Sequence, residues 1–117
     1  MSRREHVWRA GERAAWEAYR KRGYRLVARN WRCPLGEIDL ILERREVLVF
    51  CEVKARASAI HGEPFEAVTP QKRRKVRAVA EAFLGTRRGW SSCRFDVASV
   101  RLDRGGMASV RVYEDAF

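Results

Sequence analysis

Alternating hydrophobic and charged positions mark two strands near the middle of the chain. In the segment GEIDLILERREVLVFCEVKAR, residues 36–56, aliphatic side chains alternate with acidic and basic ones at both ends. Residues two apart in a strand share a face of the sheet, so each strand has an apolar face and a face that carries acids. Only the polar connection RRE separates the two strands, and so short a link requires an antiparallel hairpin. The pattern predicts strands over residues 36–43 and 47–54.

Two helices are predicted on either side of this hairpin. Residues from His6 to Arg22 are rich in Ala, Glu and Arg, and Gly23 stands where a helix would end. Thr69 and Pro70 open the second helix as its N-cap and its first residue. The second helix covers QKRRKVRAVAEAFL and stops at Gly85, and its apolar stripe comprises Val76, Val79, Ala80 and Phe83.

Three further alternating segments complete a mixed sheet. Residues 24–31 predict the first strand, and residues 93–102 and 108–117 predict the last two, divided by the turn DRGG. Residues 55–68 predict a loop. The resulting order is α-β-β-β-α-β-β, an α/β fold with helices flanking a mixed β-sheet. Because the 117 residues contain no repeat, linker or low-complexity tract, a single domain over residues 1–117 is expected.

The charge of the chain favours a polyanionic partner. Its 25 Lys and Arg residues outnumber 15 Asp and Glu, giving a formal net charge of +10. An excess of this size attracts nucleic acid through counterion release. An anionic membrane surface is the competing partner, but it requires a basic amphipathic helix with bulky apolar residues opposite.

Other features of the sequence narrow its location and class. No run approaches the ~18 apolar residues of a spanning helix, and the basic start MSRREHVWRAGERAAW lacks the apolar region of a secretory signal. Three widely spaced cysteines and two histidines do not form a disulfide framework or a zinc motif. We therefore expect a cytoplasmic protein with reduced thiols and no membrane partner.

The hairpin determines whether its acids meet. If residues 45–46 form a two-residue turn, Asp39 lies opposite Glu52. The same register places Glu37 opposite Lys54, and directly opposed residues have Cβ atoms only ~4.5–5.5 Å apart. A slip by one residue would separate the two sets, and the hydrophobic pattern opposes that slip. The apolar residues expected on one common side are Ile38, Leu40, Cys51 and Val53.

Two carboxylates this close to each other are suited to bind a divalent cation. They repel, which raises at least one pKa, and a divalent cation such as Mg²⁺ relieves the conflict. A cation bound by Asp39 and Glu52 could polarise a phosphodiester, and Lys54 could orient a water or stabilise transition-state charge. The alternative is structural, with Glu37 and Lys54 forming an ordinary cross-strand ion pair.

Several motifs together resemble the YraN-like family of small bacterial proteins. They are GERAAWEAYRKRGYRLVARNWR, GEIDLI, VFCEVKAR, TPQKRRKVRAVAEAFL, RFDVASV and the terminal DAF, and they cover nearly the whole chain. That family is similar in turn to the PD-(D/E)XK nucleases, particularly archaeal-type Holliday junction resolvases. The resemblance implies a restriction-endonuclease-like core with a site for Mg²⁺ or Mn²⁺.

The resemblance also implies roles for single residues. Asp39 matches the metal-binding aspartate, and Glu52 and Lys54 match the metal ligand and catalytic lysine of the E-x-K motif. Glu12 matches the helix glutamate that completes the metal site in the resolvase branch. The sequence departs from the motif at Ile38, where the nucleases have proline.

Basic residues around these acids are candidates for phosphate contact. Gln71 and Lys72 open the second helix beside the expected site, and the run QKRRKVR continues along it. Positive charge there could offset the repulsion between an acidic pocket and DNA, although a solvated helix face is the alternative. The residues expected to bind nucleic acid are Gln71, Lys72, Arg73, Lys75, Arg29 and Arg32.

Three functions remain open on the sequence alone. The first is a metal-dependent endonuclease that hydrolyses phosphodiester bonds of DNA, including branched DNA. The second is an inert module of the same fold that binds nucleic acid, and the third is an adaptor in DNA processing or uptake. A homodimer would suit symmetric DNA. Asp96, an acid within an apolar strand, is expected to be a structural partner of an arginine.

Overall fold

The computed structural model describes residues 2–57, 69–87, 89 and 92–117. Most of the loop predicted over residues 55–68 lies outside the described residues. The elements follow the predicted order α-β-β-β-α-β-β, which is confirmed. They are α1 (Arg3–Lys21), β1 (Arg25–Cys33), β2 (Gly36–Arg44), β3 (Val47–Arg56), α2 (Pro70–Leu84), β4 (Ser92–Leu102) and β5 (Ala108–Tyr113).

Both helices begin at side-chain caps. The Ser2 hydroxyl accepts a hydrogen bond from the Glu5 backbone nitrogen at 3.1 Å, so α1 starts three residues before the predicted His6. Thr69 caps α2 as predicted, accepting from the Lys72 backbone nitrogen at 3.1 Å, and Pro70 follows in the first turn. These caps satisfy backbone N–H groups that have no partner within the helix.

The five strands form one mixed sheet in the order β1-β2-β3-β4-β5. Neighbouring strands are antiparallel except β3 and β4, which are parallel. A parallel pair needs a long crossover, and α2 lies in the connection between these two strands. The last strand ends at Tyr113, earlier than the predicted residue 117.

Each face of the sheet is covered by one helix. On the first face, Ala15 and Tyr19 of α1 pack against a cluster that includes Leu40, Cys51 and Val53. On the second face lie the buried residues of α2, which are the predicted stripe Val76, Val79, Ala80 and Phe83, together with Ile38, Ile41, Leu48 and Phe50.

One part of the predicted hairpin pattern is wrong. Ile38 was expected to share a side with Leu40, but it belongs to the cluster beneath α2, while Leu40 lies beneath α1. Alternation therefore breaks at Asp39, between them. Across from it in β1, Asn30 has a left-handed φ of 52° and so departs from regular strand geometry.

A buried polar network fixes β4 to α1 and to the C-terminal residues. Asp96 is fully buried, and Arg94 donates to its two carboxylate oxygens at 2.8 and 2.9 Å. The Tyr19 hydroxyl donates to the same carboxylate at 2.8 Å, and the Asp115 backbone nitrogen donates at 3.0 Å. The prediction that Asp96 is the structural partner of an arginine is confirmed.

Membrane crossing by a helix has no support in this fold. Among the described residues, neither helix combines the length and the apolar composition that a bilayer-spanning segment requires.

Candidate active site

The tight turn of the hairpin determines the register of the acidic strands. Arg45 and Glu46 have φ angles of 51° and 66°, the left-handed pair that a two-residue hairpin turn requires. The ladder then runs from Arg44 opposite Val47 to Leu40 opposite Cys51. The predicted turn is confirmed, and the next positions along the two strands are Asp39 and Glu52.

At Asp39 the side chain, rather than the backbone of β2, accepts a hydrogen bond from β3. Its Oδ2 accepts a hydrogen bond from the backbone nitrogen of Val53 at 2.7 Å. That N–H points across the hairpin, so the carboxylate occupies the position of a backbone acceptor. Asp39 is thereby anchored to β3 beside Glu52, although its strand changes face there.

Asp39 and Glu52 form a buried carboxyl pair. Their exposed fractions are 7% and 5%, and each carboxyl lies close enough to change the pKa of the other. Burial and the charge of Asp39 raise the pKa of Glu52 to about 8. Burial also raises the pKa of Asp39, while its contacts with Glu52 and the Val53 N–H oppose that rise. Burial and the charge of Asp39 therefore favour the protonated form of Glu52.

Two lysines lie beside this pair. Burial and the adjacent Lys72 lower the pKa of Lys54. Burial opposes charge on Lys72 as well, but its contact with Lys54 and the charge of Glu52 outweigh that effect and raise its pKa. The Lys72 Nζ lies 4.0 Å from Glu52 Oε2. The N-terminal turn of α2 thus brings a second amine into the site.

These groups line one open pocket with a volume of about 630 Å³. β2 and β3 supply the floor, and α2 supplies one wall. Trp8 of α1 also contributes. The polar side chains of the lining are Glu37, Asp39, Glu52, Lys54, Thr69, Gln71, Lys72 and Lys75.

The ion pair between Glu37 and Lys54, the structural alternative that the sequence left open, is not found among the described residues. Glu37 instead accepts a hydrogen bond from Arg32 Nε at 2.7 Å, and these two residues face each other in the β1–β2 register. Arg32, predicted to contact nucleic acid, is exposed and engaged in this pair.

Glu12 lies in a neighbouring pocket rather than in this one. Its exposed fraction is 5%, and its Oε1 accepts from Asn30 Nδ2 at 3.3 Å. Burial raises the pKa of Glu12 to about 7, and the charge of Asp39 contributes to that rise. The charge of Asp39 therefore acts on Glu12 across the two pockets. The role of Glu12 as a third metal ligand stays a prediction.

The remaining residues predicted to bind nucleic acid are distributed between the two pockets. Gln71, Lys72 and Lys75 line the pocket of the carboxyl pair, whereas Arg29 lines the pocket of Glu12. Arg73, half-buried on α2, is not among the lining residues of either pocket.

The two carboxylates of the pocket, Asp39 and Glu52, are a small set of ligands but are compatible with Mg²⁺ or Mn²⁺. Within residues 2–57, 69–87, 89 and 92–117, no group of three or more His, Cys, Asp or Glu side chains is arranged to hold a metal ion. Mg²⁺ commonly takes only one or two protein carboxylates and completes its octahedron with waters and substrate phosphate. Asp39 and Glu52, acidic oxygens forced together by the fold, fit that requirement.

Sequence reasoning missed three contributions to this region. Lys72 was expected to contact phosphate, but its contact with Lys54 was not foreseen. Trp8 lines both pockets, and Asn30 holds the buried Glu12. The spacing of Trp8 and Glu12 by four residues on one helix was a usable signal, whereas the left-handed conformation of Asn30 had none.

Comparison with known proteins identifies the family. The profile described as "Uncharacterised protein family UPF0102" matches residues 11–100. A UPF0102 protein of Moorella thermoacetica is 46% identical over 109 residues, covering 92% of this chain and 91% of the relative. A UPF0102 protein of Symbiobacterium thermophilum is 45% identical over 119 residues, covering 100% and 98%. This chain belongs to the UPF0102, or YraN-like, family.

Proposed function

We propose that this protein is a divalent-metal-dependent endonuclease that hydrolyses phosphodiester bonds in DNA. One observation carries the proposal: the buried carboxyls of Asp39 and Glu52 line one pocket together with Lys54. The resemblance to PD-(D/E)XK nucleases assigns these three residues to metal binding and catalysis. The α/β order with a mixed sheet agrees with the restriction-endonuclease-like core that the resemblance implies.

Asp39 and Glu52 are the residues that would hold Mg²⁺ or Mn²⁺. When bound, such an ion supplies Lewis-acid polarisation of a phosphoryl oxygen and a bound water of lowered pKa. The Val53 N–H fixes Asp39 for this role, because the 2.7 Å hydrogen bond limits rotation of the carboxylate. The place of Glu12 as a third ligand remains a prediction.

Lys54 is suited to handle a proton at the attacking water. Burial and Lys72 lower the pKa of its amine, which increases the fraction of the neutral form. The neutral Nζ can accept a proton, and Lys72 remains charged beside it and can contact phosphate. The two lysines therefore divide proton transfer and anion binding between them.

The basic surface supplies the reason for a nucleic-acid substrate. Gln71, Lys72 and Lys75 form one wall of the pocket, and the chain has a formal net charge of +10. Positive charge on α2 opposes the repulsion between substrate phosphates and the two carboxylates.

Cleavage of a substrate panel tests the proposal. Duplex, single-stranded, flap and four-way-junction DNA, and RNA of matching sequence, are incubated with the protein in Mg²⁺, in Mn²⁺ and in EDTA. We expect metal-dependent cleavage that Asp39→Asn and Lys54→Met each reduce by at least about a hundredfold. Glu43→Gln on the same strand as Asp39, and Lys21→Met on α1, should cleave like the wild type.

Calorimetric titration of the protein with Mn²⁺ separates metal binding from turnover. The wild type and Glu43→Gln should bind one ion, and Asp39→Asn should not. Cleavage that survives both Asp39→Asn and Lys54→Met would contradict the assignment of these residues, and absence of cleavage throughout the panel would contradict the enzymatic function.

A specific contact favours a second candidate, an inert nucleic-acid-binding module. Lys72 Nζ lies 4.0 Å from Glu52 Oε2, so an amine of the chain already lies beside this carboxyl. If that contact substitutes for a metal, Lys72→Met should raise Mn²⁺ affinity or create it. DNA binding that is steeply salt-dependent, without metal uptake in either form, is the outcome that this module predicts.

A further inference from the structure

A second pocket lies beside the carboxyl pair and differs from it in chemistry. It has a volume of about 340 Å³ and is lined by Trp8, Arg9, Glu12, Arg13, Arg29 and Asn30. This volume lies in the ~300–1,000 Å³ range of small-ligand sites. Trp8 lines both pockets, so the two are adjacent.

Two buried oxygens in this second pocket need donors. Glu12 Oε2 and Asn30 Oδ1 have no hydrogen-bond partner within the part of the chain that the structure describes. The exposed fraction of Glu12 is only 5%. Its other oxygen accepts from Asn30 Nδ2, and this bond orients the amide so that its oxygen remains an acceptor. A buried acceptor without a donor costs about 1–3 kcal/mol.

The rim of the same pocket is cationic. Arg9 and Arg13, one helical turn apart on α1, and Arg29 on β1 are all exposed. None of these three arginines forms an ion pair within 4 Å with another described residue. A ligand suited to this pocket therefore has negative charge near the arginines of the rim and N–H donors near the two buried oxygens. A nucleotide has both.

We propose that this second pocket binds an unpaired guanine of a nucleic acid, with Glu12 Oε2 and Asn30 Oδ1 accepting from the base and the arginines contacting phosphate. The inference rests on the proposed function for the nature of the ligand, a nucleic acid. It deepens that function by naming a base that the protein reads beside its cleavage site, and it takes Glu12 as a base acceptor in place of the third metal ligand that the resemblance implies.

Guanine fits two acceptors better than the other bases do. Its Watson–Crick edge presents two adjacent donors, N1–H and the 2-amino group. Adenine and cytosine pair one amino group with an acceptor ring nitrogen, and thymine or uracil presents one N–H between two carbonyls. Guanine is therefore the base whose Watson–Crick edge offers two separate donor atoms, one for each oxygen, in its common neutral form.

Trp8 supplies the apolar contact that such a base needs. Unpaired bases are commonly bound by stacking on an aromatic ring combined with hydrogen bonds to the Watson–Crick edge. Trp8 and Glu12 lie four residues apart on α1 and so face the same side of the helix. Because Trp8 also lines the pocket of Asp39 and Glu52, a base bound here belongs to the strand that reaches those carboxylates.

Binding without metal tests this inference apart from cleavage. A fluorescent DNA hairpin with one unpaired guanine is titrated with the protein at pH 8 in EDTA. The same hairpin with inosine, which lacks the 2-amino group, or with adenine, serves for comparison. We expect the guanine hairpin to bind about tenfold more tightly than the inosine hairpin, since one hydrogen bond to a charged acceptor is lost.

Substitutions test which residues produce the preference for guanine over inosine. Glu12→Gln should abolish the preference for guanine over inosine, and Glu17→Gln, an exposed acid on the same helix, should retain it. Guanine-dependent quenching of tryptophan fluorescence should disappear in Trp8→Phe, a variant that is expected to fold because Trp8 is only half-buried. Arg9→Ala should weaken all three hairpins, and Arg4→Ala should weaken them less.

A free nucleotide is the other source of the same chemistry. Guanosine monophosphate is used as a competitor of the guanine hairpin, and we expect it to compete at least a hundredfold more weakly. Equal competition would overturn the assignment to a nucleic acid. Equal affinity of the wild type for the guanine and inosine hairpins would overturn the guanine pocket itself.

The outcome is distinguishable from that of the proposed function. A protein that prefers guanine in EDTA but cleaves nothing in Mg²⁺ or Mn²⁺ keeps the pocket and loses the endonuclease. A protein that cleaves but binds all three hairpins equally, with no effect of Glu12→Gln on preference, keeps the endonuclease and loses the pocket.

Discussion

Asp39 Oδ2 lies 2.7 Å from the backbone nitrogen of Val53, so a side chain of β2 completes the pairing of β3. The same residue lines the candidate active-site pocket together with the buried Glu52. One residue therefore anchors the hairpin and supplies an oxygen of the candidate metal site, and its two roles can be separated by substitution.

Asp39→Asn and Asp39→Ala should have opposite effects on stability. Asparagine keeps an oxygen for the Val53 N–H and removes a buried charge beside Glu52, so the metal-free protein should be at least as stable as the wild type at pH 8. Alanine leaves the buried N–H without an acceptor and should destabilise by about 1–3 kcal/mol. Urea denaturation in EDTA measures both. A loss of the same size in both variants would contradict the separate anchoring role.

The raised pKa of Glu52 makes stability depend on pH. Its pKa is about 8 in the folded protein against 4.5 as its ordinary value. Between these two values the folded state binds a proton that the unfolded state releases, so the free energy of unfolding falls as pH rises. Over the whole window, titration of Glu52 lowers the free energy of unfolding by on the order of 5 kcal/mol.

Denaturation from pH 4.5 to pH 9 in EDTA checks this pH dependence. Glu52→Gln should flatten the slope but not remove it, because burial also raises the pKa of Glu12 to about 7 and acts in the same direction. Glu43→Gln is the matched control and should retain the full slope. Stability that increases with pH through this window would show that Glu52 is not held in its neutral form.

Gly11 allows α1 to approach β3 closely. A Cβ built at Gly11 would overlap the Cβ of Ala55, and the helix holds Glu12 at the next residue. Gly11→Ala should therefore destabilise by about 1–3 kcal/mol through overpacking, reduced by up to about 1 kcal/mol from better helix propensity. Thermal denaturation measures it. Gly105→Ala, where the nearest atom is Asp103 Oδ1 at 3.5 Å, should change stability little.

The buried Asp96 should matter more for stability than any surface acid. Asp96→Ala leaves Arg94 and the Tyr19 hydroxyl without their shared acceptor, and breaking a buried ion pair in this way costs about 3–5 kcal/mol. Glu114→Gln is the control, since Glu114 is half exposed and lies 3.6 Å from the same arginine; it should cost less than about 1 kcal/mol. Similar losses in the two variants would contradict a structural role specific to Asp96.

Local chemistry was sufficient to predict the order of elements and the core of α2. The cap at Thr69, the turn at residues 45–46 and the stripe from Val76 to Phe83 depend on neighbours within a few positions, and all three are confirmed. The approach of Asp39 to Glu52 also followed from the sequence, because a two-residue turn leaves a single register for the strands that it joins.

Only the tertiary structure decided which side chains lie next to Asp39 and Glu52. Ile38 lies on the opposite face from Leu40, near the left-handed Asn30 of β1, whereas a periodicity argument assumes regular strands. Lys72 reaches Glu52 only because α2 crosses over this end of the sheet.

The sequence by itself determined which chemical groups occur on which elements, and the docking of helices on the sheet determined which of them meet. Glu12 shows the difference. The sequence placed it on α1, but the packing of α1 on β3 and the left-handed Asn30 gave it a buried position in a pocket apart from Asp39 and Glu52. Such contacts depend on distances between elements far apart in the chain, which hydrophobic periodicity does not encode.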